Sequence, residues 1–379
     1  MASEERILLI RLSHMGDVVH ALPVFHALRR ARPAARLAWA VEPAFAGLLE
    51  GLPGLERVVL FQREQGAGAW PRLAAELSRF APTWSVDAQG NLKSAAVSLC
   101  AGSARRSGLH PRDWRERLGA AVLHDSAPAA ERPRFASAAG QVLEAPSAHA
   151  VDRMLALARH VGGPECGADF DLALGPGELE RGALRLAQVL GSAPGPGDVL
   201  LLLSAPGDVR SWPLNRWGEL ARALARRGRR VLLLGGPAEE APGLELAREL
   251  RDLPAVRAWV PQRGLRELAA CFSLCAQAGA RAVGVDSGPL HLAAASGLCV
   301  VVLEGPQSHW RTGPWPPPER ETGPARHGVV RSSEELPCAP CFSRVCRHPE
   351  GPVCMTRLGI ASVLEALERP LRDCPVRPA

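Results

Sequence analysis

Short apolar runs recur along the chain, each passing through a polar turn into a stretch with helical spacing. In the amino-terminal half this pattern predicts strands at 7–10, 36–41, 57–61 and 84–87, and helices at 21–31, 45–49, 70–80, 94–99 and 150–161. Strands alternating with helices imply a parallel sheet joined by right-handed crossovers. Residues 105–145, rich in Arg, Pro and Ala with weak periodicity, are expected as loops and short helices able to carry substrate contacts. The Gly- and Pro-rich stretch 191–197 reads as a linker. A second alternation follows, with strands at 199–203, 230–234, 282–285 and 299–303 and helices at 215–227, 242–250, 263–278 and 290–295. No repeat of solenoid length interrupts it. The expectation is two doubly wound α/β domains, 1–190 and 198–355, followed by a helix and tail at 356–379. A cleft between two such domains suits a two-substrate enzyme.

Length agrees, because 379 residues exceed what one hydrophobic core usually supports. With 47% hydrophobic and 22% charged residues, and neither a signal-peptide core nor an apolar run of spanning length, the chain is expected to be cytoplasmic. Ten cysteines without an export signal point to reduced thiols or a metal site rather than a disulfide framework. The net charge of +6 is carried by arginine, Lys93 being the only lysine. That excess fits phosphates or an anionic membrane surface; lacking a long basic block or aromatic-interleaved stripe, the chain is not expected to bind nucleic acid.

Four turns carry candidate chemistry. The first strand runs through Ser13–His14–Met15–Gly16–Asp17 into a helix, where an open α/β sheet presents its ligand crevice. Asp17 is there either a general base or the N-cap of the helix. Gly284–Val285–Asp286–Ser287–Gly288 opens another helix, with His291 one turn in. Its free amides suit a diphosphate, and ordinary capping around a buried histidine is the plainer alternative. Arg210, in the turn after the strand at 199–203, offers a guanidinium to a leaving diphosphate, while Trp212 and Trp217 read as packing residues. Glu239, or Glu240 beside it, follows Gly235–Gly236–Pro237 and suits a ribose diol. No G-x-G-x-x-G follows the first strand and no P-loop occurs, against an NAD enzyme or an ATPase.

These turns fall into an order that resembles a known family. Arg11-x-x-x-x-Gly16–Asp17, Asp87–Ala88–Gln89–Gly90–Asn91–Leu92–Lys93–Ser94, Arg210-x-Trp212–Pro213, Gly235–Gly236–Pro237-x-Glu239, Asp286–Ser287–Gly288-x-x-His291 and Arg311–Thr312–Gly313–Pro314 have the order and spacing of the lipopolysaccharide heptosyltransferases. This is the ADP-heptose family of inverting glycosyltransferases, family 9, and the resemblance covers roughly residues 5 to 360. Residues 87–94, with Trp39–Ala40–Val41–Glu42 upstream, are more similar to heptosyltransferase I than to II.

The resemblance implies the GT-B fold: two Rossmann-like domains facing across a cleft, with acceptor on the first and nucleotide sugar on the second. It implies Asp17 as catalytic base, and Arg210, Glu239, Asp286, Ser287, Gly288 and His291 as donor-binding residues. Arg210 stands where many members have lysine. Gln89, Lys93, Arg11 and Arg63 become candidates for acceptor carboxylates or phosphates, against a plain solvated charge for Arg63. The implied reaction moves heptose from ADP-L-glycero-D-manno-heptose to Kdo-lipid A with inversion and without a metal cofactor, the lipid acceptor drawing the enzyme to the inner leaflet of the inner membrane. Heptosyltransferase II, another nucleotide-sugar transferase, a sugar-nucleotide epimerase of the same fold and a non-catalytic binding protein are the alternatives. Cys338-x2-Cys341-x4-Cys346-x7-Cys354, around His348, has spacing that allows a structural zinc site, against reduced thiols packing a loop.

Overall fold

The computed structural model describes residues 4–136, 142–145, 147–320, 325–332 and 336–369; the tail expected at 370–379 lies outside them. The chain divides into two compact units, Met1–Ala173 and Leu174–Ala379.

In the first unit, β1 (Arg6–Ile10), β2 (Arg36–Val41), β3 (Leu55–Leu60), β4 (Trp84–Asp87), β5 (Arg105–Gly108) and β6 (Asp125–Ser126) form one sheet ordered β3-β2-β1-β4-β5-β6. Every pair in it is parallel. The apolar run of β1 follows from this: Ile7, Leu8, Leu9 and Ile10 are at most 2% exposed, as a central parallel strand covered on both faces requires. Each such side chain contributes about 1.5–3 kcal/mol by leaving water. The stretch 105–145, expected as loops and helices, holds two of these strands and a separate antiparallel pair, β7 (Arg134–Ala136) with β8 (Val142–Glu144). Such short strands leave too few alternations for periodicity to register.

The helices are α1 (Met15–Ala31), α2 (Pro43–Leu49), α3 (Ala69–Phe80), α4 (Leu92–Cys100) and α5 (Ala150–Gly162). α1 begins earlier than its apolar spacing indicated, so Gly16 and Asp17 lie in its first turn. α5 closes on α1 where a Cβ at Gly162 would fall 2.7 Å from that of Ala27, an approach only glycine permits.

The second unit starts with α6 (Pro176–Leu190), which the sequence reading had grouped with the first. Its partner is α9 (Leu265–Gln277): a Cβ at Gly182 would lie 3.0 Å from that of Ala270. An amphipathic helix does not announce which sheet it covers, and residues 191–197 link α6 to the next strand. That sheet contains β9 (Val199–Leu202), β10 (Val231–Leu234), β11 (Val256–Trp259), β12 (Arg281–Val285), β13 (Cys299–Leu303) and β14 (Gly328–Val330), ordered β11-β10-β9-β12-β13-β14 and parallel throughout. β11 and β14 escaped the sequence reading, being short and only partly buried.

The remaining helices are α7 (Leu214–Arg226), α8 (Glu240–Glu249), α10 (Gly288–Ala295), α11 (His309–Thr312), α12 (Val353–Thr356) and α13 (Ile360–Glu368). Trp212 and Trp217 are packing residues, as expected: both are buried and meet edge to face at 4.9 Å. The Trp212 indole N–H donates to the Leu358 carbonyl at 3.1 Å. Both sheets reverse direction next to their first strand, between β1 and β4 and between β9 and β12. In open α/β sheets ligands bind beyond the carboxyl ends of strands at such reversals.

Candidate active site

In the first unit the reversal is stitched closed around Asp17. Arg11, just past β1, sets Nη2 2.7 Å from Asp17 Oδ1 and donates Nη1 to the Ala88 carbonyl. Asp17 is not the N-cap: that position is His14, whose side chain caps nothing and whose backbone has φ 63° and ψ 126°. The His14 Nδ1 stands 3.6 Å from Asp17 Oδ2. Burial alone would raise the Asp17 carboxyl, but the charge of Arg11, then the His14 and His20 imidazoles, hold it well below the usual carboxylate range.

Gln89 braces the same turn. Its Oε1 accepts from the Leu12 amide at 2.9 Å, and its Nε2 donates to Ser13 Oγ at 3.3 Å. Asp87 accepts from the Gln89 and Gly90 amides at 2.8 and 2.9 Å, and complete burial pushes its carboxyl up. Arg11 and Gln89, expected to face an acceptor, thus spend their hydrogen bonds holding the turn that presents Asp17. Lys93 Nζ lies 3.7 Å from Glu42 and 5.8 Å above the Phe61 ring. Arg63 is exposed on a short 3-10 turn, Arg63–Gly68.

The second unit gathers its candidates at its own reversal. Asp286 follows β12, and its carboxylate meets His291 Nε2 at 3.0 Å and the Thr312 hydroxyl at 3.2 Å. Arg210 Nη1 donates to the Asp286 carbonyl at 2.8 Å, while Nε and Nη2 grip the Asp208 carboxylate at 2.9 and 2.6 Å. Those hydrogen bonds keep the Asp208 carboxyl below its ordinary value. Ser287 is the cap residue of α10 without bonding its amides. Its Oγ is buried and without a hydrogen-bond partner, as is Ser204 Oγ beyond β9. The orphaned Ser287 hydroxyl at the start of α10, with the amides that a helix start leaves without intrahelical partners, is a donor set an anion would complete. Glu239 Oε2 accepts from the Gly236 amide at 2.8 Å, so the acid caps its own turn.

The family model of glycosyltransferase family 9 (heptosyltransferase) matches residues 70–350. The chain belongs to glycosyltransferase family 9. It is 29% identical to lipopolysaccharide heptosyltransferase 1 of Pseudomonas aeruginosa, over 96% of this chain and 98% of that protein. The Escherichia coli K12 protein of that name is 28% identical, over 79% and 88%. The fold is shared with two E. coli structures: heptosyltransferase WaaC with ADP (TM-score 0.67, 24% identity, 96% of this chain and 99% of that one) and ADP-heptose lps heptosyltransferase II (TM-score 0.68, 22% identity, 96% and 97%). The expected likeness to heptosyltransferase I therefore holds in sequence, and the pair of Rossmann-like units holds in fold.

Among the described residues no group of three or more His, Cys, Asp or Glu side chains is arranged to hold a metal ion. Burial first, then the nearness of Cys341, Cys346 and Cys338, pushes the Cys354 thiol up. Cys338 and Cys341 are exposed, whereas Cys354, on α12, is half-buried beside Gly305.

Four contributors were missed in sequence. Asp208 had a local signal, since its carboxylate also accepts from the Arg210 amide two residues on, at 2.9 Å. His14 and Ser204 had none, and Thr312 stood in the Arg311–Thr312–Gly313–Pro314 motif without any sign that it reaches Asp286 across 26 residues of chain.

Proposed function

We propose that this glycosyltransferase moves a heptosyl group from ADP-heptose to the Kdo-lipid A inner core of lipopolysaccharide, in one inverting displacement. The observation that carries the reading is the placement of an ionised, arginine-held carboxylate at one topological reversal and a set of anion-binding donors at the other. An acceptor hydroxyl attacks the anomeric carbon as the bond to the diphosphate breaks, and Asp17 receives the hydroxyl proton through Oδ2, the oxygen Arg11 leaves open. Charge growing on the departing ADP is met by Arg210, the amides at the start of α10 and Ser287 Oγ, fixed before reaction rather than recruited during it. Asp286, held by His291 and Thr312, anchors the carbonyl that positions Arg210. Glu239 keeps Oε1 for a ribose hydroxyl.

Lys93 and Arg63 remain the cations for acceptor carboxylates or phosphates, with Arg11 and Gln89 acting behind them through the Asp17 turn. Among the described residues no helix is long and apolar enough to cross a membrane, so the lipid acceptor itself is taken to bring the enzyme to the inner leaflet. The test is incubation of the purified chain with ADP-heptose and Kdo-lipid A in excess chelator. Heptosylated lipid and released ADP are expected. Free sugar isomers, no turnover, or turnover only on adding a divalent metal contradicts the reading.

A further inference from the structure

Arginine-held carboxylates bind a proton weakly, so the transfer leaves open where the acceptor's proton comes to rest. Oδ1 of Asp17 is engaged by Arg11 at 2.7 Å, and His14 stands at the other oxygen, with Nδ1 3.6 Å from Oδ2; the His20 imidazole also lowers this carboxyl. The backbone there is unusual: φ 63° with ψ 126° lies outside even the left-handed helical well that histidine sometimes visits. Non-glycine residues held in such regions cluster at functional sites, because something else must keep them there. His14 does not repay the strain by capping α1. Its side chain is 64% exposed, with one ring nitrogen toward Asp17 and a path to solvent for the other.

We propose that His14 and Asp17 work as a dyad in which the imidazole is the proton's destination. The inference rests on the heptosyltransferase reading above. The acceptor oxygen bonds to the anomeric carbon; the bond from that carbon to the diphosphate oxygen breaks, its electron pair leaving with ADP. The hydroxyl proton passes through Asp17 Oδ2 to His14 Nδ1, and the imidazolium loses a proton to water from its other nitrogen. Asp17 then orients the ring and offsets its positive charge, the task a carboxylate performs for histidine in other proton-transfer sites. Imidazole is the side chain suited to taking up and releasing a proton near neutral pH. The other charged or titratable groups that act on Asp17 are Arg11 past β1, whose charge also reaches Asp87, and His20 on α1.

The experiment compares kcat and KM of the wild-type chain, His14→Ala, His14→Gln and His14→Gly, with added imidazoles of graded basicity. The expected result is a kcat loss of about 10²-fold or more in all three variants, with unchanged KM for donor and acceptor. In His14→Ala and His14→Gly, kcat recovers in proportion to added imidazole, more steeply for the more basic ones. His14→Gly, relieved of its Cβ, is expected to keep or raise Tm, so a folding defect cannot produce that pattern. Full kcat in His14→Ala, or a loss that no imidazole restores, overturns the dyad while leaving the proposed function intact. Absence of transfer by the wild-type chain overturns both.

Discussion

At the residue scale the Arg11–Asp17 contact decides how the first site behaves. A carboxyl whose native pKa is depressed stabilises the fold above its unfolded value, near 4, and that contribution is lost as pH falls through the lower native value. Arg11→Gln removes the largest of the influences that oppose burial but keeps hydrogen-bonding capacity, so the Asp17 carboxyl rises although the His14 and His20 imidazoles remain. The acidic limb of the kcat/KM profile is expected to shift to higher pH, with a loss of about 1–3 kcal/mol in urea unfolding at neutral pH. An unmoved acidic limb would show that Arg11 does not set the state of Asp17. Arg210→Lys tests the second site: a lysine keeps charge but cannot hold both Asp208 oxygens and the Asp286 carbonyl. Steady-state kinetics are expected to show kcat/KM for the donor lower by roughly 10²-fold; wild-type kinetics would remove Arg210 from the leaving-group role. Asp17, Arg210 and Asp286 could all be read from sequence because each sits in a turn bounded by an apolar run. The bracing role of Arg11 and Gln89 could not, since it depends on bringing 11–14 against 87–90.

At the element scale, β13 and β14 are tied by a buried neutral histidine. His327 accepts from the Val300 amide through Nδ1 at 3.4 Å, and its Nε2 lies 3.1 Å from the Trp315 carbonyl, which fits the tautomer protonated at Nε2. Burial lowers its pKa to about 3, against the pull of the Trp315 carbonyl. The depressed value means this stability is fully present above the unfolded value near 6.5 and is lost as pH falls toward about 3. Chemical denaturation of wild type and His327→Gln at several pH values checks this. The wild-type curve should lose stability below pH 6.5 more steeply than the variant, and parallel curves would contradict it. Elements of this kind were the hardest to read. β9, β10 and all of β1 after Arg6 are uniform, buried apolar runs and declare themselves, whereas β11 has no buried residue and carries the exposed Arg257, β14 has only three residues, and both reveal their pairing only against a neighbour.

For the whole molecule, the repeated 3-2-1-4-5-6 strand order explains why two sites of different chemistry arise from one architecture: each unit offers a single reversal, and the turns there differ. The alternation of apolar runs made both sheets legible, but the join was not, because the Gly- and Pro-rich stretch that looks like a boundary follows α6 rather than preceding it. A chain cut to begin at Leu174 is expected to fold and bind ADP by calorimetry without transferring sugar. One beginning at Gly191 loses the α6 cover on α9 and should unfold at lower temperature; equal Tm for the two would contradict the assignment of α6 to the second unit. The central claim is that Asp17 handles the acceptor proton while the donor is held elsewhere. Its most direct measurement is kcat and ADP-heptose affinity for Asp17→Asn, which keeps shape and removes the charge. The account predicts kcat lower by about 10²–10⁴-fold with donor affinity unchanged; transfer at the wild-type rate with normal donor binding would contradict it.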